Sequence, residues 1–208
     1  MMEPWSIGAE STIYRLEQWG RMVLLKHRPQ KPYLLKAIDE FLRTSRTSRE
    51  CKMLTVARNL GVPTPMVYWV DMHRHYIAME YIQGKQLKQL VAELAADRLQ
   101  KITCKFGKLI GLLHRGGVVH GDPTTSNVIV NQKGDIWLVD FGLAEMNATV
   151  EMKGVDLHLM KRAFETTHWD HEEIMWSAAL DGYRTIHSDE TENVFSRVEE
   201  IRERGRYH

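Results

Sequence analysis

A predicted β-hairpin near the middle of the chain constrains the possible folds more than any other feature. Residues 128–130 and 136–139 are short apolar segments, and the polar segment 131–134, which ends in glycine, separates them. Antiparallel pairing places the residue before the first strand, Asn127, beside the residue after the second strand, Asp140. Amide and carboxylate oxygens are ligands that suit Mg²⁺. The sequence therefore predicts a magnesium site at one end of this hairpin.

Asp122 extends this site toward a chemical reaction. It lies five residues before Asn127, within His120-Gly121-Asp122, and Asp140 opens an Asp-Phe-Gly sequence. This order of Asp, Asn and Asp is that of the catalytic loop and metal-binding motif of protein kinases. Phosphoryl transfer requires charge neutralisation and in-line positioning, so Asp122 is predicted to accept or orient the proton of an attacking hydroxyl or water. An ordinary surface hairpin explains any one of these residues, but it is a poor explanation of the ordered set.

The composition is typical of a soluble globular protein. The 208 residues are 43% hydrophobic and 26% charged, which is enough for one domain or two small lobes packed together. No apolar run approaches the roughly 20 residues that cross a bilayer, so no membrane contact is expected and the cytoplasm is the expected compartment. The net charge of +1 gives no overall nucleic-acid signal. Cys51 and Cys104 lie in helical patterns and are predicted to be buried free thiols.

The N-terminal residues resemble a phosphate-covering loop. Ile7 and Gly8 precede the predicted strands 12–17 and 21–26. A kinase loop has three glycines where this one has a single glycine, and a lone glycine in a hairpin also serves as a simple turn residue. Lys26 ends the second strand, from which its ammonium could reach the α and β phosphates of a nucleotide. A solvated lysine at the strand end is the alternative.

Glu50 is the candidate partner of Lys26. A helix is predicted over residues 47–60, and Glu50 then lies in its first turn. Thr47 and Glu50 also match a capping box, in which Glu50 would reach back to a backbone amide. An ion pair with Lys26 is favoured, because the kinase fold carries its glutamate on a helix at this point.

The segment that follows the predicted strands 66–70 and 76–80 has the position of a hinge between two lobes. Backbone groups around Glu80 and Ile82 would bond the adenine edge, and Met79 would close the back of the pocket. A strand that runs into a turn at Gly84 fits these residues equally well. Helices are predicted over 86–96, 98–115, 153–166, 171–182 and 189–204.

Three histidines and the segment after Gly142 complete the predictions. His73 and His75 are expected to be solvated turn residues, and His114 is expected to be packed or capping rather than catalytic. No Ala-Pro-Glu sequence follows Gly142, and barely a dozen residues separate it from the next predicted helix. The platform on which typical protein kinases lay a peptide substrate therefore has almost no chain to build it.

Together these features resemble the small atypical kinase subunit of the KEOPS complex, also called the p53-related protein kinase family. The resemblance spans nearly the whole chain, and its most specific parts are residues 124–127 and the basic tail. Pro123 replaces the leucine that is usual in the family, which should leave Asp122 and Asn127 in place. The matching residues are Gly8-Ala9-Glu10, Lys26-His27-Arg28, Arg46-Thr47 with Glu50, Met79-Glu80-Tyr81-Ile82 with Gly84, residues 120–127, Asp140-Phe141-Gly142-Leu143-Ala144, Val155-Asp156-Leu157 and Arg204-Gly205-Arg206.

This resemblance implies an α+β, minimal bilobal kinase-like fold. The N-lobe (1–82) would be an antiparallel sheet with one main helix, and the C-lobe (83–208) would be small, mostly helical and without a full activation segment. It also implies a single domain that uses ATP and Mg²⁺. Lys26 would hold the phosphates, Glu50 would position Lys26, Asn127 and Asp140 would hold the metal, and Asp122 would be the proton acceptor.

The family also implies partners. These are a Kae-type threonylcarbamoyltransferase and smaller KEOPS subunits, with tRNA contacted through the complex that makes threonylcarbamoyladenosine beside the anticodon. Family members autophosphorylate on Ser or Thr and act mainly as an ATPase switch. Gly121 replaces the arginine that pairs with an activation-loop phosphate in typical kinases, so gating by a partner is expected. Two alternatives are a small-molecule phosphotransferase of the aminoglycoside or choline kinase type and a pseudokinase scaffold.

Overall fold

Five strands form an antiparallel sheet in the N-terminal part of the chain. The computed structural model describes residues 3–18, 20–186 and 190–204. Across the sheet, the first three strands of the chain lie in sequence order and are followed by the fifth strand and then the fourth. Strands were expected at residues 66–70 and 76–80. The observed strands, Val67–Asp71 and Tyr76–Glu80, begin and end within one residue of those bounds. The strands are β1 (Ser6–Ile7), β2 (Thr12–Gln18), β3 (Arg21–His27), β4 (Val67–Asp71) and β5 (Tyr76–Glu80).

The main helix of this part, α1 (Lys36–Asn59), begins eleven residues before the predicted start at 47. The apolar residues of its first turns, such as Ile38 and Phe41, face solvent, so they gave no buried periodicity from which to read a helix. Thr47 consequently lies in the middle of α1 and is fully buried. The capping box of Thr47 and Glu50 is therefore wrong, because neither residue is near a helix start.

Helices dominate the C-terminal part, where Ala96–Arg115 packs on Glu172–Arg184 and Val150–Thr167 packs on Thr191–Arg204. The predicted helix 86–96 is broken into a short helix, a 3₁₀ turn at Val91–Glu93 and two extended residues, Leu94 and Ala95. The helices are α2 (Leu87–Leu90), α3 (Ala96–Arg115), α4 (Val150–Thr167), α5 (Glu172–Arg184) and α6 (Thr191–Arg204).

Small sheets hold the central motifs. β8 (Val128–Val130) pairs antiparallel with β9 (Ile136–Leu138), and β6 (Lys85–Gln86) completes that sheet. β7 (Val118–Val119) pairs with β10 (Glu145–Met146). The predicted hairpin is confirmed, and its turn is closed by hydrogen bonds between Asn131 and Asp135.

His75 is a further correction. It was expected to be solvated, but it is fully buried and has a positive φ of 57°. Its Nδ1 accepts a hydrogen bond from Arg43 at 2.9 Å, and its Nε2 lies 3.1 Å from the Thr44 hydroxyl. The reason is the early start of α1, which brings a helical turn over the β4–β5 connection. His73, in the same connection, is exposed as expected.

One apolar core joins α1 to the helices and small sheets of the C-terminal part. Met53 and Leu54 of α1 belong to it together with Phe106 of α3 and Phe141. Both cysteines are half-buried free thiols. None of the helices in the described ranges combines the length and the hydropathy needed to span a bilayer. The position of the lobe boundary, at residue 82, stays a prediction.

Candidate active site

A cleft of about 420 Å³ lies between the five-stranded sheet and the β6-β8-β9 sheet. Ile7 and Gly8 do not line it, and Ile7 is 75% exposed. Ser6 and Ile13 do line it, and the strand register explains why: Ile13 is the cross-strand partner of both Ser6 and Lys26, and such partners share a face. Seven predicted site residues line the cleft: Lys26, Glu50, Met79, Glu80, Ile82, Asn127 and Asp140.

Lys26 lies between two carboxylates. Its Nζ is 2.7 Å from Oε1 of Glu50 and 2.8 Å from Oδ1 of Asp140. Lys26 and Glu50 are both buried, whereas the Asp140 side chain is 46% exposed and faces the cleft. The ammonium is thus fixed from α1 on one side and from the end of the β8–β9 hairpin on the other. A cation held in this way suits the phosphates of a nucleotide.

Arg28 is a second cation on Glu50 that the sequence reasoning did not assign to the site. Its Nη2 lies 2.5 Å from Oε2 of Glu50, and its Nη1 lies 3.5 Å from the Thr47 hydroxyl. Side chains two residues apart in an extended segment point to the same side, so the Lys-x-Arg spacing was the available signal. Glu50 is therefore held by two buried cations rather than one.

Asn127 is oriented by Asp122. Its Nδ2 donates to the Asp122 carboxylate at 2.8 Å and to the Asp122 backbone carbonyl at 2.9 Å. The amide oxygen of Asn127 consequently points away from Asp122 and is available as a ligand. Burial raises the pKa of Asp122 above its ordinary value, although the Asn127 hydrogen bond acts in the opposite direction. A raised pKa brings a carboxylate closer to the range in which it works as a base.

Asp140 has an unusual backbone and a low pKa. Its φ of +62° lies in the left-handed region, which costs energy for any residue but glycine and is common at functional sites. Burial alone would raise the pKa of Asp140, but the charge and hydrogen bond of Lys26 and the charge of Arg28 hold it below the ordinary value. Asp140 therefore stays ionised near neutral pH, as a metal ligand must.

The donor set fits Mg²⁺. Mg²⁺ is typically held by one or two carboxylates together with substrate phosphates, not by a cage of protein ligands alone. Asp140 offers an ionised carboxylate and Asn127 a free amide oxygen, and both line the same cleft. The described residues contain no cluster of three or more His, Cys, Asp or Glu side chains able to hold a metal without phosphate.

His120 is a buried, neutral histidine that lies between the loop of Asp122 and the Asp-Phe-Gly motif. Its Nε2 donates to the Val139 carbonyl at 3.2 Å, and its Nδ1 accepts from the Asp122 amide at 3.3 Å. Burial lowers the pKa of His120, more than the neighbouring carboxylates raise it. Its ring also packs on Phe141, with centroids 4.5 Å apart. The imidazole thus ties the residue before Asp140 to the loop that carries Asp122.

Asp156, on α4, anchors the loop that carries Asp122. It accepts hydrogen bonds from the backbone amides of His120 at 2.8 Å and Gly121 at 2.7 Å, and from His114 at 3.0 Å. His114 is packed as expected and also contacts the Tyr183 hydroxyl at 3.0 Å. Asp156 was part of the family resemblance, but no role was predicted for it from the sequence.

The hinge segment leaves β5 at Glu80. The Glu80 amide donates to the Met66 carbonyl at 2.8 Å, and the Glu80 carboxylate accepts from the Met66 amide at 3.1 Å. Met79 is buried beside it. The amide of Glu80 is therefore already used, so the predicted adenine contacts reduce to the carbonyl of Glu80 and the amide of Ile82.

Gly121 has no room for a side chain. Its φ is +82°, and an added Cβ would overlap the carbonyl oxygen of Leu143. α4 begins at Val150, so only residues 143–149 lie between Gly142 and the next helix, fewer than the sequence suggested. Those residues include β10, which pairs with β7 beside the catalytic loop.

Comparison with known proteins agrees with this geometry. A model of the protein kinase domain matches residues 18–188. The KEOPS complex subunit Bud32 of Pyrococcus abyssi is 42% identical over 207 residues, which cover 96% of this chain and 94% of that protein. This chain is a protein kinase domain of the Bud32 family. The minimal kinase-like α+β fold expected from the sequence is thereby confirmed.

Other relatives of this Bud32-family chain are longer proteins. A probable bifunctional tRNA threonylcarbamoyladenosine biosynthesis protein of Methanosarcina barkeri is 40% identical, and one of Methanocaldococcus jannaschii is 35% identical. Each alignment covers 96% of this chain. The chain spans only 35% and 36% of those proteins, about a third of their length.

Proposed function

We propose that this chain is an atypical serine/threonine kinase and ATPase, a KEOPS subunit required for threonylcarbamoyladenosine modification of tRNA beside the anticodon. The observation that carries the proposal is the position of the Lys26 ammonium, 2.7 Å from Glu50 and 2.8 Å from Asp140 in one cleft. The family membership supports the same conclusion, since its members are named for KEOPS and for tRNA threonylcarbamoyladenosine synthesis.

ATP would enter the cleft with its adenine against the hinge. The Glu80 carbonyl and Ile82 amide would bond the adenine edge, and Met79 would limit the depth of the pocket. Lys26 would then move its hydrogen bonds from Asp140 toward the α and β phosphates while Glu50 keeps it in place. The buried Glu50 is suited to this, because Arg28 holds its second oxygen.

Asp122 would take the proton of the attacking oxygen. The Asn127 amide fixes one carboxylate oxygen of Asp122, so the other can face a hydroxyl or a water. As the new P–O bond forms, the proton of that hydroxyl or water passes to Asp122, and ADP leaves with the electron pair of the broken P–O bond. A serine or threonine acceptor gives a phosphoprotein, and water gives inorganic phosphate.

Asn127 and Asp140 would hold Mg²⁺ through the Asn127 amide oxygen and the Asp140 carboxylate. When bound with ATP, the ion neutralises charge that develops on the phosphate oxygens. The ionised state of Asp140 and the orientation of Asn127 prepare these ligands before the nucleotide arrives.

The proposed partners are a Kae-type threonylcarbamoyltransferase and smaller KEOPS subunits, with tRNA reached through that complex. The bifunctional relatives support a transferase partner, because two thirds of their length lies outside the part that matches this chain. The basic tail was expected near tRNA or the transferase. Residues 205–208 of that tail lie outside the described residues.

The test is an ATP turnover assay that counts phosphoprotein and free phosphate separately. The isolated chain is expected to turn over Mg²⁺-ATP slowly, and Asp122→Asn is expected to reduce both products by about 100-fold or more. A chain that binds ATP but forms neither product, alone or with its partners, would be a scaffold and would overturn the proposal. Rapid phosphorylation of an aminoglycoside or choline would instead favour a small-molecule phosphotransferase.

A further inference from the structure

A second pocket, of about 200 Å³, lies outside the catalytic cleft and shares none of its lining residues. It is formed by the β1–β2 turn, the loop between β3 and α1, and the first three turns of α1. Its lining contains four cations but only two carboxylates, Glu10 and Asp39. The cations are Arg28, Lys31, Arg43 and Arg46.

Arg28, which lines this pocket, has an unused donor. Its two terminal nitrogens are bonded to Thr47 and Glu50, but its buried Nε has no hydrogen-bond partner among the described residues. Arg28 is only 4% exposed. Buried donors without a partner are rare in folded proteins, and such a donor commonly marks the place of a bound ion or water. The unsatisfied Nε therefore points to a polar molecule that belongs beside Arg28.

Two further cations are available to the same molecule. The Lys31 ammonium forms no ion pair within the described part of the chain; the hydrogen bonds of Lys31 come from its backbone, whose amide donates to Asp39 at 2.9 Å and whose carbonyl accepts from the Leu34 amide at 3.2 Å. Arg46 pairs with Glu10, but Glu10 lies on a turn and its side chain is 55% exposed. Exposed ion pairs contribute little to stability, so an anion could displace Glu10 from Arg46. Arg43 is engaged by Asp39 and His75 and would contribute charge only.

We propose that this pocket binds a phosphate-class oxyanion, held by Lys31, Arg46 and Nε of Arg28. A pocket of about 200 Å³ holds several water molecules of ~30 Å³ each, so a tetrahedral oxyanion fits with water to spare. Arginine and lysine are the usual partners of phosphate oxygens. Because Arg28 also holds Glu50, the anion would lie one side chain away from the Lys26–Glu50 pair. The site goes beyond the proposed function and does not depend on it.

The test is calorimetric titration of inorganic phosphate into the full chain, with the cleft filled by a non-hydrolysable ATP analogue and Mg²⁺. Ionic strength is held constant with sodium chloride. One-site binding is expected, and Lys31→Ala and Arg46→Ala should each weaken it by about 10-fold or more, the loss of one charged contact. Lys36→Ala, an exposed lysine on the first turn of α1, is the matched control and should change nothing.

Three results would overturn the proposal: no heat beyond that of chloride, binding that survives Lys31→Ala and Arg46→Ala, or equal weakening by Lys36→Ala.

A second titration with N-acetyl-O-phosphoserine amide separates two sources of the anion. Equal affinity for both probes indicates a site open to a phosphorylated side chain, and binding of inorganic phosphate alone indicates a site for the free ion. Failure of the proposed function remains distinguishable from failure of this site, because Lys31 and Arg46 line this pocket and do not line the catalytic cleft.

Discussion

At the scale of single residues, substitution of Asp140 should impair catalysis without impairing folding. Asp140→Ala should reduce ATP turnover by about 100-fold or more, because the variant loses an ionised metal ligand in the cleft. The fold should survive, since Lys26 keeps its ion pair with the buried Glu50. Turnover and the circular dichroism spectrum are measured together, with the exposed Asp97→Ala as control. Full turnover in a folded Asp140→Ala variant would refute the metal assignment.

Arg28 should affect both stability and nucleotide binding. Arg28→Ala leaves one oxygen of the buried Glu50 without its cation, and loss of one partner from a buried ion pair costs about 3 kcal/mol. Glu50 should then hold Lys26 less firmly, which should raise KM for ATP. Arg28→Lys should recover part of the stability and part of the nucleotide binding, because lysine restores the positive charge but not the several N–H donors of the guanidinium group.

Chemical denaturation gives the free energy of unfolding of these Arg28 variants, and initial rates give KM and kcat. Arg21→Ala is the control, since Arg21 is exposed at the start of β3, the strand that Arg28 directly follows. Unchanged stability and KM in Arg28→Ala would mean that Lys26 alone is sufficient to hold Glu50.

The raised pKa of Asp122 gives the pH dependence of the reaction. A base must be ionised, so kcat/KM should fall as the pH drops through the pKa of Asp122. Because burial raises that pKa, the inflection should lie above the value of about 3.9 that is ordinary for aspartate. Rates are measured between about pH 4 and 8, with circular dichroism at each pH to exclude acid unfolding. A flat profile, or the same inflection in Asp122→Asn, would show that another group is the base.

At the scale of elements, the loop that carries Gly121 and Asp122 needs a backbone that only glycine provides. Gly121→Ala combines a strained φ of +82° with overlap on the Leu143 carbonyl. Gly134→Ala is a matched control, since Gly134 has a φ of +80° but no atom within 4 Å of the added Cβ. In both variants the left-handed backbone should lower the free energy of unfolding by about 1 kcal/mol. In Gly121→Ala the overlap should lower it by about 1–3 kcal/mol more.

Thermal or chemical denaturation of the two glycine variants measures the difference. Equal losses would mean that the segment after Gly142 moves aside freely, and that the close approach to Leu143 does not constrain the catalytic loop.

The same scale shows which elements could be predicted from the sequence. The β8–β9 hairpin was predicted because apolar runs and a glycine turn are local signals. The early turns of α1 were missed because their apolar residues face solvent, and this error led to the wrong capping box for Glu50. The burial of His75 was missed for the same reason. Arg28 and Asp156 act through partners 22 and 35 residues away in sequence. The Lys-x-Arg spacing places Arg28 on the side of Lys26, but no local pattern identifies Glu50 or the Gly121 amide as a partner.

At the scale of the whole molecule, the candidate catalytic residues contact one another, but the segment that carries regulation in typical kinases is short. Lys26, Glu50 and Asp140 are already joined, and Asp156 fixes the catalytic loop from α4. Only residues 143–149 separate the Asp-Phe-Gly motif from α4, and Gly121 cannot carry the arginine that reads an activation-loop phosphate. Regulation by phosphorylation of an activation loop therefore lacks both a loop of the usual length and the arginine that would bind its phosphate.

Regulation is consequently expected from a bound partner. Addition of the Kae-type transferase subunit should change the kcat of ATP turnover by about 10-fold or more, since a coupling of 1–3 kcal/mol between sites is typical. Phosphatase treatment of the chain should change kcat much less than the partner does. Steady-state rates are measured for the untreated and phosphatase-treated chain, each with and without the partner. The same rate with and without the transferase would contradict partner gating, and a large effect of phosphatase alone would show that a phosphate controls the site after all.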